Sequence, residues 1–439
     1  MTKEIYFVHS VDTEGPLFES AKATLSRIED LLSIKIKNKN FSTLKKILNN
    51  KYFSRSNQLM FEKVITSHLL AYNDTWKKIS KMLSRISKKK FRNILKDSNG
   101  DSYKISWHCV DHVNYLNNPR RRDIGYSKIF NFYKNFIKKH HLDDKIHFHF
   151  HPMPISKEAN RNATLYFRND NLYQILCRRI LDKNWFPVAN RAGFHVERPD
   201  SHWFLEQFVP FDLSNTNKNE RNSGDPSNDS RLWDWRRAPN TWEIYRPSHD
   251  DYQKKGNCRR YIGRILSILN RTESIDGYEV EKAFKRASLG KRTLLAVTSH
   301  DFRNMETEIL HVKQLLKNCL TKYPKVKIYY CDVATAFQKV IGYNSNEIKK
   351  NAIKLKIIRI KKNAIKVKTL SGEVFGPQPF LAIRTKKNLY IHDNLDFGLK
   401  KNEWYYTFCD DTVNIKDLDL IGVGAADKYG NYSVSKMSF

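Results

Sequence analysis

The chain has 439 residues, of which 40% are hydrophobic and 13% aromatic, so it can bury real cores and is not a disordered chain. Its 78 Lys and Arg outnumber its 46 Asp and Glu, giving a net charge of +32. That excess is spread through a Lys-, Asn- and Ile-rich composition and comes with no RNA-binding signature or zinc-finger pattern, so nucleic acid is not an expected partner.

No apolar run approaches the roughly 18 residues of a membrane-spanning helix. The first residues lack a basic stretch followed by an apolar one, so they read as structural and the protein as cytoplasmic. The cysteines, Cys109, Cys177, Cys258, Cys319, Cys331 and Cys409, show no CxxC spacing. That argues against a zinc ribbon and fits reduced thiols.

In chain order, Ile5-Tyr6-Phe7-Val8 reads as a buried strand and runs into Asp12-Thr13-Glu14-Gly15. Residues 19–95 read as helical. Leu25, Ile28, Leu31 and Leu32 form one apolar face, and Trp76, Ile79, Met82, Leu83 and Ile86 form another. The stretch is too long for a strand-to-helix connection, which predicts a helical insertion over about 19–100. Residues 33–97 hold 17 Lys or Arg against 3 Asp or Glu. A solvated face is the expectation there, with peripheral contact to membrane phosphates, an acidic partner or an anionic glycan as the alternative.

Tyr103-Lys104-Ile105-Ser106-Trp107 is the next expected strand, and Asn117-Asn118-Pro119-Arg120-Arg121-Arg122 is a turn with a basic cluster. A helix is predicted over 127–139, with Ile129, Phe130, Tyr133 and Phe136 on one side. Lys145-Ile146 opens a strand that reaches His147-Phe148-His149-Phe150-His151 and stops at Pro152. A helix over 172–181 leads to Trp185-Phe186-Pro187-Val188 and Asn190-Arg191-Ala192-Gly193. Pro199 suits the first turn of a helix over 198–208. Residues 214–231 read as an exposed loop. Strand, helix and strand then alternate to Leu294-Leu295-Ala296-Val297 and Ser299-His300-Asp301, and a last α/β unit covers 306–340. From 343 the pattern changes. Residues 354–360 and 365–367 alternate apolar and basic around Lys361-Lys362-Asn363, a hairpin signature, and short strands follow at 381–383, 389–391 and 404–408. The predicted division is 1–342 and a β-sandwich-like accessory domain over 343–439.

Polar side chains at the ends of buried strands are costly unless they are paired or bind metal. Residues two apart on a strand share a face. Asp12 and Glu14 therefore point one way, and His147, His149 and His151 share another face with Phe148 and Phe150 behind them. Neutral imidazoles plus a carboxylate, with an open position, are the pattern of catalytic zinc; manganese and cobalt are related choices. The expected ligands are Glu14 (or Asp12), His149 and His151. The other carboxylate, Asp12 in the preferred assignment, would take a proton from water. His300 would protonate the leaving group, oriented by Asp301 or another acid. Arg191 would pair with the base or hold a substrate oxygen, with a structural salt bridge an equal expectation. His108-Cys109-Val110-Asp111-His112 reads as a decoy for the metal, with Asp111 a candidate pocket residue. Ser248-His249-Asp250-Asp251 reads as a solvated loop, since a triad needs three convergent directions.

The motifs resemble those of the polysaccharide deacetylase (NodB homology) family of carbohydrate esterases, in order, across about 1–340. Asp12-Thr13-Glu14-Gly15 is similar to the family's Asp-rich strand end, and His149-Phe150-His151-Pro152 to its histidine pair in the HxHP variant. Arg191-Ala192-Gly193, Asp212-Leu213-Ser214 and Ser299-His300-Asp301 resemble later motifs. The resemblance implies a distorted parallel (β/α)7-type barrel and a metal-dependent deacetylase acting on an N-acetylated sugar or glycan precursor. Three features depart from the family: Glu14 where many members have Asp, the shortened histidine spacing, and the helical insertion. Two rivals stand beside this expectation, a metal hydrolase of a non-sugar amide and a non-catalytic glycan-binding or assembly protein. Trp203, Trp233 and Trp235 would favour sugar stacking, or else pack in the core.

Overall fold

A computed structural model describes residues 2–64, 70–94, 96–218, 233–270 and 273–439. Its centre is a closed barrel of parallel strands: β1 (Glu4–Thr13), β2 (Ser106–Cys109), β3 (Lys145–Phe150), β4 (Ala189–Ala192), β5 (Phe211–Asn215), β6 (Tyr261–Ser267) and β7 (Thr293–His300). β7 returns to β1, pairing Asp12 with His300. One edge of β1 is shared. Its first half, from Glu4 to Phe7, pairs with β8 (Lys327–Tyr330), and its second half, from Ser10 to Thr13, pairs with β2. Helices Lys128–Lys139, Asp170–Lys183, Pro199–Phe208, Gly277–Ser288 and Met305–Lys322 lie between successive strands. The α/β barrel that the resemblance implies is the fold observed.

Register decides what faces the barrel interior. Asp12 aligns with His108, His108 with His147, and His149 with Arg191. Strand alternation puts these on one face, and the hydrogen bond from Arg191 to Asp12 crosses the barrel between non-neighbouring strands. The other face, with Phe7, Trp107, Phe148, Phe150 and Val297, is buried in the main core. At the N-terminal end of the strands, helix Val333–Ile341 closes the floor: Phe337 stacks on Phe211 with ring centres 4.8 Å apart.

The predicted helical stretch has two fates. Leu25, Ile28, Leu32, Ile36, Ile47 and Phe61 form a small core of their own. Ile79, Met82, Leu83 and Ile86 of helix Trp76–Ile86 join the barrel core instead. The side chain of Leu31, residues 65–69 and Leu95 lie outside the described residues. So do residues 219–231 of the predicted loop; its first residues, Ser214 to Asn217, are buried rather than exposed.

The C-terminal region holds two antiparallel sheets packed as a sandwich. Strands β9 (Lys354–Lys361), β10 (Ala364–Ser371), β13 (Asp396–Phe397) and β14 (Glu403–Thr407) make one sheet. Strands β11 (Phe380–Thr385), β12 (Tyr390–Asp393), β15 (Leu418–Ala426) and β16 (Tyr432–Ser438) make the other. Leu355, Ile357, Ile365, Val367 and Trp404 meet Leu381, Ile383, Ile421 and Val423 between them. Among the described residues, no helix is long and apolar enough to cross a membrane. All six cysteines are free thiols, and only Cys409 is exposed.

Candidate metal centre

The site lies at the C-terminal ends of β1, β3, β4 and β7, the end where barrels carry their chemistry. β1 ends at Thr13, whose hydroxyl donates to the His108 carbonyl at 2.9 Å. The chain then turns. The backbone amides of Glu14 and Gly15 donate to the Asp301 carboxylate at 3.0 and 2.9 Å, which fixes where Glu14 emerges. Gly15 has a φ of +70° against the Trp76 ring, a place that strains any other residue. β3 ends at Phe150, so His151 leaves the strand just before Pro152. A Cβ on Gly193 would stand 2.4 Å from the His151 ring, so the glycine lets the chain after Arg191 pass directly over it.

These bends bring Glu14, His149 and His151 together, all buried, with one ligand atom from each lying within 4.8 Å of the others. His149 Nδ1 lies 2.7 Å from the Arg191 carbonyl. A carbonyl only accepts, so Nδ1 carries the hydrogen and Nε2 is the nitrogen left to act as a ligand. That Nε2 faces His151 Nε2 at 2.8 Å, and His151 Nε2 is 3.7 Å from Glu14 Oε1. Zinc bonds of about 2.0–2.2 Å place tetrahedral donors roughly 3.3 Å apart, a spacing these contacts straddle. The carbonyl behind His149 is also the usual outer support of a metal-bound histidine. Burial holds the His151 imidazole well below its ordinary titration range, against the pull of Glu14, so the ring is neutral and able to ligate. The trio fits a metal ion.

Asp12 has a different partner. Arg191 Nε donates to both of its oxygens at 2.7 and 2.9 Å, and Arg191 Nη1 donates to the Leu213 carbonyl at 3.1 Å. His300 Nε2 lies 3.8 Å from both an Asp12 oxygen and a Glu14 oxygen. It is also the open side of the group, since its side chain is 28% exposed. Burial lowers it to about 4, despite the two carboxylates.

Asp301 does not orient His300 as expected. Strand alternation puts it on the opposite face of β7, where it accepts from Tyr133 Oη at 2.9 Å as well as from the Glu14 and Gly15 amides. It positions the Glu14 backbone.

Two further residues belong here that the sequence did not single out. Arg122 Nη2 lies 2.5 Å from Glu14 Oε2. Burial alone would push the Glu14 carboxyl up, but Arg122 above all holds it well below the usual carboxylate range. His195 Nε2 lies 3.5 Å from Arg191 Nη2. His195 and its neighbour Phe194 both have left-handed φ values, 59° and 51°, a strained conformation for residues with a bulky side chain.

The other marked residues fall elsewhere. His108 faces the interior deeper down, donating from Nδ1 to the Phe148 carbonyl, and is outside the metal group. His112 packs beside it, its Nε2 3.3 Å from the Glu14 carbonyl and its ring centre 5.9 Å from that of His151. Asp111 is paired with buried Arg179 at 2.6 Å. His147 sits one step below His149, 3.8 Å from Asp332. His249 and Asp250 pair with each other on the exposed surface, with no serine in line. Trp233 and Trp235 are buried in a side core with Tyr245 and Tyr252, while Trp203 is partly exposed beside His249. No family model matches the chain, and neither a curated protein nor a solved structure matches it.

Proposed function

We propose that the protein is a metal-dependent deacetylase that hydrolyses an N-acetyl group on a sugar or glycan precursor, in keeping with its resemblance to polysaccharide deacetylases. One observation carries this reading: Glu14 lies with His149 and His151, while Asp12, two residues away, is gripped by Arg191. A divalent ion held by the trio, zinc first and manganese or cobalt next, would acidify water and polarise the acyl carbonyl. Asp12 takes the proton of the attacking water, and the two hydrogen bonds from Arg191 Nε hold its carboxylate in place. His300 is neutral at rest, so it passes on a proton received from Asp12, 3.8 Å away, to the leaving nitrogen. Its partial exposure puts it where substrate enters.

A non-sugar amide is the second reading. The burial of Trp233 and Trp235 removes two of the aromatic platforms a sugar ring would use.

Elemental analysis of the wild type beside a His149→Ala/His151→Ala variant tests the centre. About one equivalent of a divalent metal in the wild type, lost in the variant, is expected. Acetate release from N-acetylated amino sugars then tests the chemistry. Wild type that holds no metal after incubation with zinc, manganese or cobalt would refute the mechanism.

A further inference from the structure

The charges around the centre do not balance once a cation is added. Asp12 is neutralised by Arg191 and Glu14 by Arg122, both arginines being buried. Asp301, the next acid, accepts only from neutral donors on the far face of β7, and Glu19 is paired with both Arg27 and Arg120. A divalent ion therefore leaves net positive charge among buried groups, which is costly without an opposing charge.

Arg122 offers the place for one. Its side chain is 5% exposed, and it uses Nη2 on Glu14. Its Nε and Nη1 have no hydrogen-bond partner among the described residues. The Phe302 ring, 5.1 Å from Cζ, supports the cation but accepts no fork of hydrogen bonds. A buried guanidinium edge left idle is expensive, and its planar donors match a carboxylate or phosphate. We infer that the pocket takes an acidic substrate, an acetamido compound bearing a carboxylate or phosphate that pairs with Arg122. This rests on the metal-dependent reading above and adds the charge of the substrate to it.

Calorimetric titration of the zinc-loaded full chain tests it with N-acetylglucosamine, N-acetylmuramic acid and N-acetylglucosamine 6-phosphate. At least one acidic sugar is expected to bind about tenfold (~1.4 kcal/mol) tighter than the neutral one. Preference for the muramate assigns a carboxylate, and preference for the phosphate ester a phosphate. In Arg122→Gln the preference should collapse. In Arg122→Lys, which keeps the charge but not the fork, part of it should remain. Equal binding of the three sugars by wild type, binding of none, or an undiminished preference in a folded, metal-loaded Arg122→Gln overturns the inference. Acetate release is read in parallel. A preference without acetate release leaves the Arg122 subsite standing and sinks the deacetylase reading; deacetylation with no preference does the reverse.

Discussion

Asp12 and Glu14 are separated by one residue, yet they have different partners. Both Asp12 oxygens accept from Arg191, whereas Glu14 reaches the His149 and His151 pair. Glu14→Gln should therefore lose metal. Asp12→Asn should keep it and lose turnover by about 10²–10⁴-fold. Metal content and acetate release on the two variants separate the roles, and loss of metal in Asp12→Asn alone would exchange them. A second residue-scale expectation concerns His9, on the outer face of β1. Its Nε2 lies 2.8 Å from Ser299 Oγ and its Nδ1 3.0 Å from Tyr103 Oη. Burial lowers it to about 3 from an ordinary 6.5. Between those values the unfolded chain holds a proton that the folded chain does not. The stability owed to neutral His9 is thus complete above the upper value and falls away toward the lower one. Its slope within that window is about 1.4 kcal/mol per pH unit. Urea denaturation across this range should show a shallower acid limb for His9→Gln than for wild type. Identical limbs would mean that His9 charges freely in the fold.

At the scale of elements, β3 carries His149 and leads straight into His151, and a buried ion pair fixes where it starts. Asp144 accepts from Arg92 Nη1 and Nη2 at 3.0 and 2.9 Å, from the Ile105 amide at 2.9 Å and from Trp107 Nε1 at 3.1 Å. Asp144→Ala strands a buried guanidinium, so a loss of about 3–5 kcal/mol is expected by chemical denaturation. A loss below about 1 kcal/mol would show that the helix Lys89–Asn93 is not pinned to β3 by this pair. Local patterns made much of this region legible beforehand. Histidines at period two between phenylalanines, ahead of a proline, mark a strand end whatever surrounds it. Long-range pairing was not legible. The strand expected at 103–107 is found at Ser106–Cys109, because β8 occupies the first half of β1 and pushes β2 along it. Three consecutive arginines look alike in sequence, but Arg120 reaches Glu19, Arg121 covers the Phe18 ring, and only Arg122 reaches Glu14. β15, Leu418–Ala426, was not among the expected strands; glycines at 422 and 424 weaken a strand pattern when only the strand itself is in view.

Those glycines matter at the scale of the whole molecule. The central strands of the sheet containing β15, β11 and β15 itself, are buried on both faces. Ile421, Val423 and Ala425 point into the sandwich core, while Phe380, Ala382 and Ala426 belong to the barrel's core. The alternate positions Gly422 and Gly424 meet helix Asp170–Lys183 and the residues after it so closely that no side chain fits. A Cβ at Gly424 would lie 2.6 Å from Phe186 and 3.0 Å from Ile180. Phe186 is itself fully buried and has nowhere to move. The barrel and the sandwich therefore share packed surface rather than a flexible tether, and damage at the seam should register as lost stability of the whole chain. Gly424→Ile is expected to cost about 1–3 kcal/mol through overpacking. It should lower the melting temperature and speed proteolysis near the seam. Metal content should stay at the wild-type level, because the candidate ligands stand at the C-terminal ends of β1 and β3 while the clash falls on Phe186 and on Ile180 of helix Asp170–Lys183. Melting unchanged from wild type would mean that the sheet can pull away from the barrel at no cost. Lost metal would mean that the seam also sets the position of the β3 strand end.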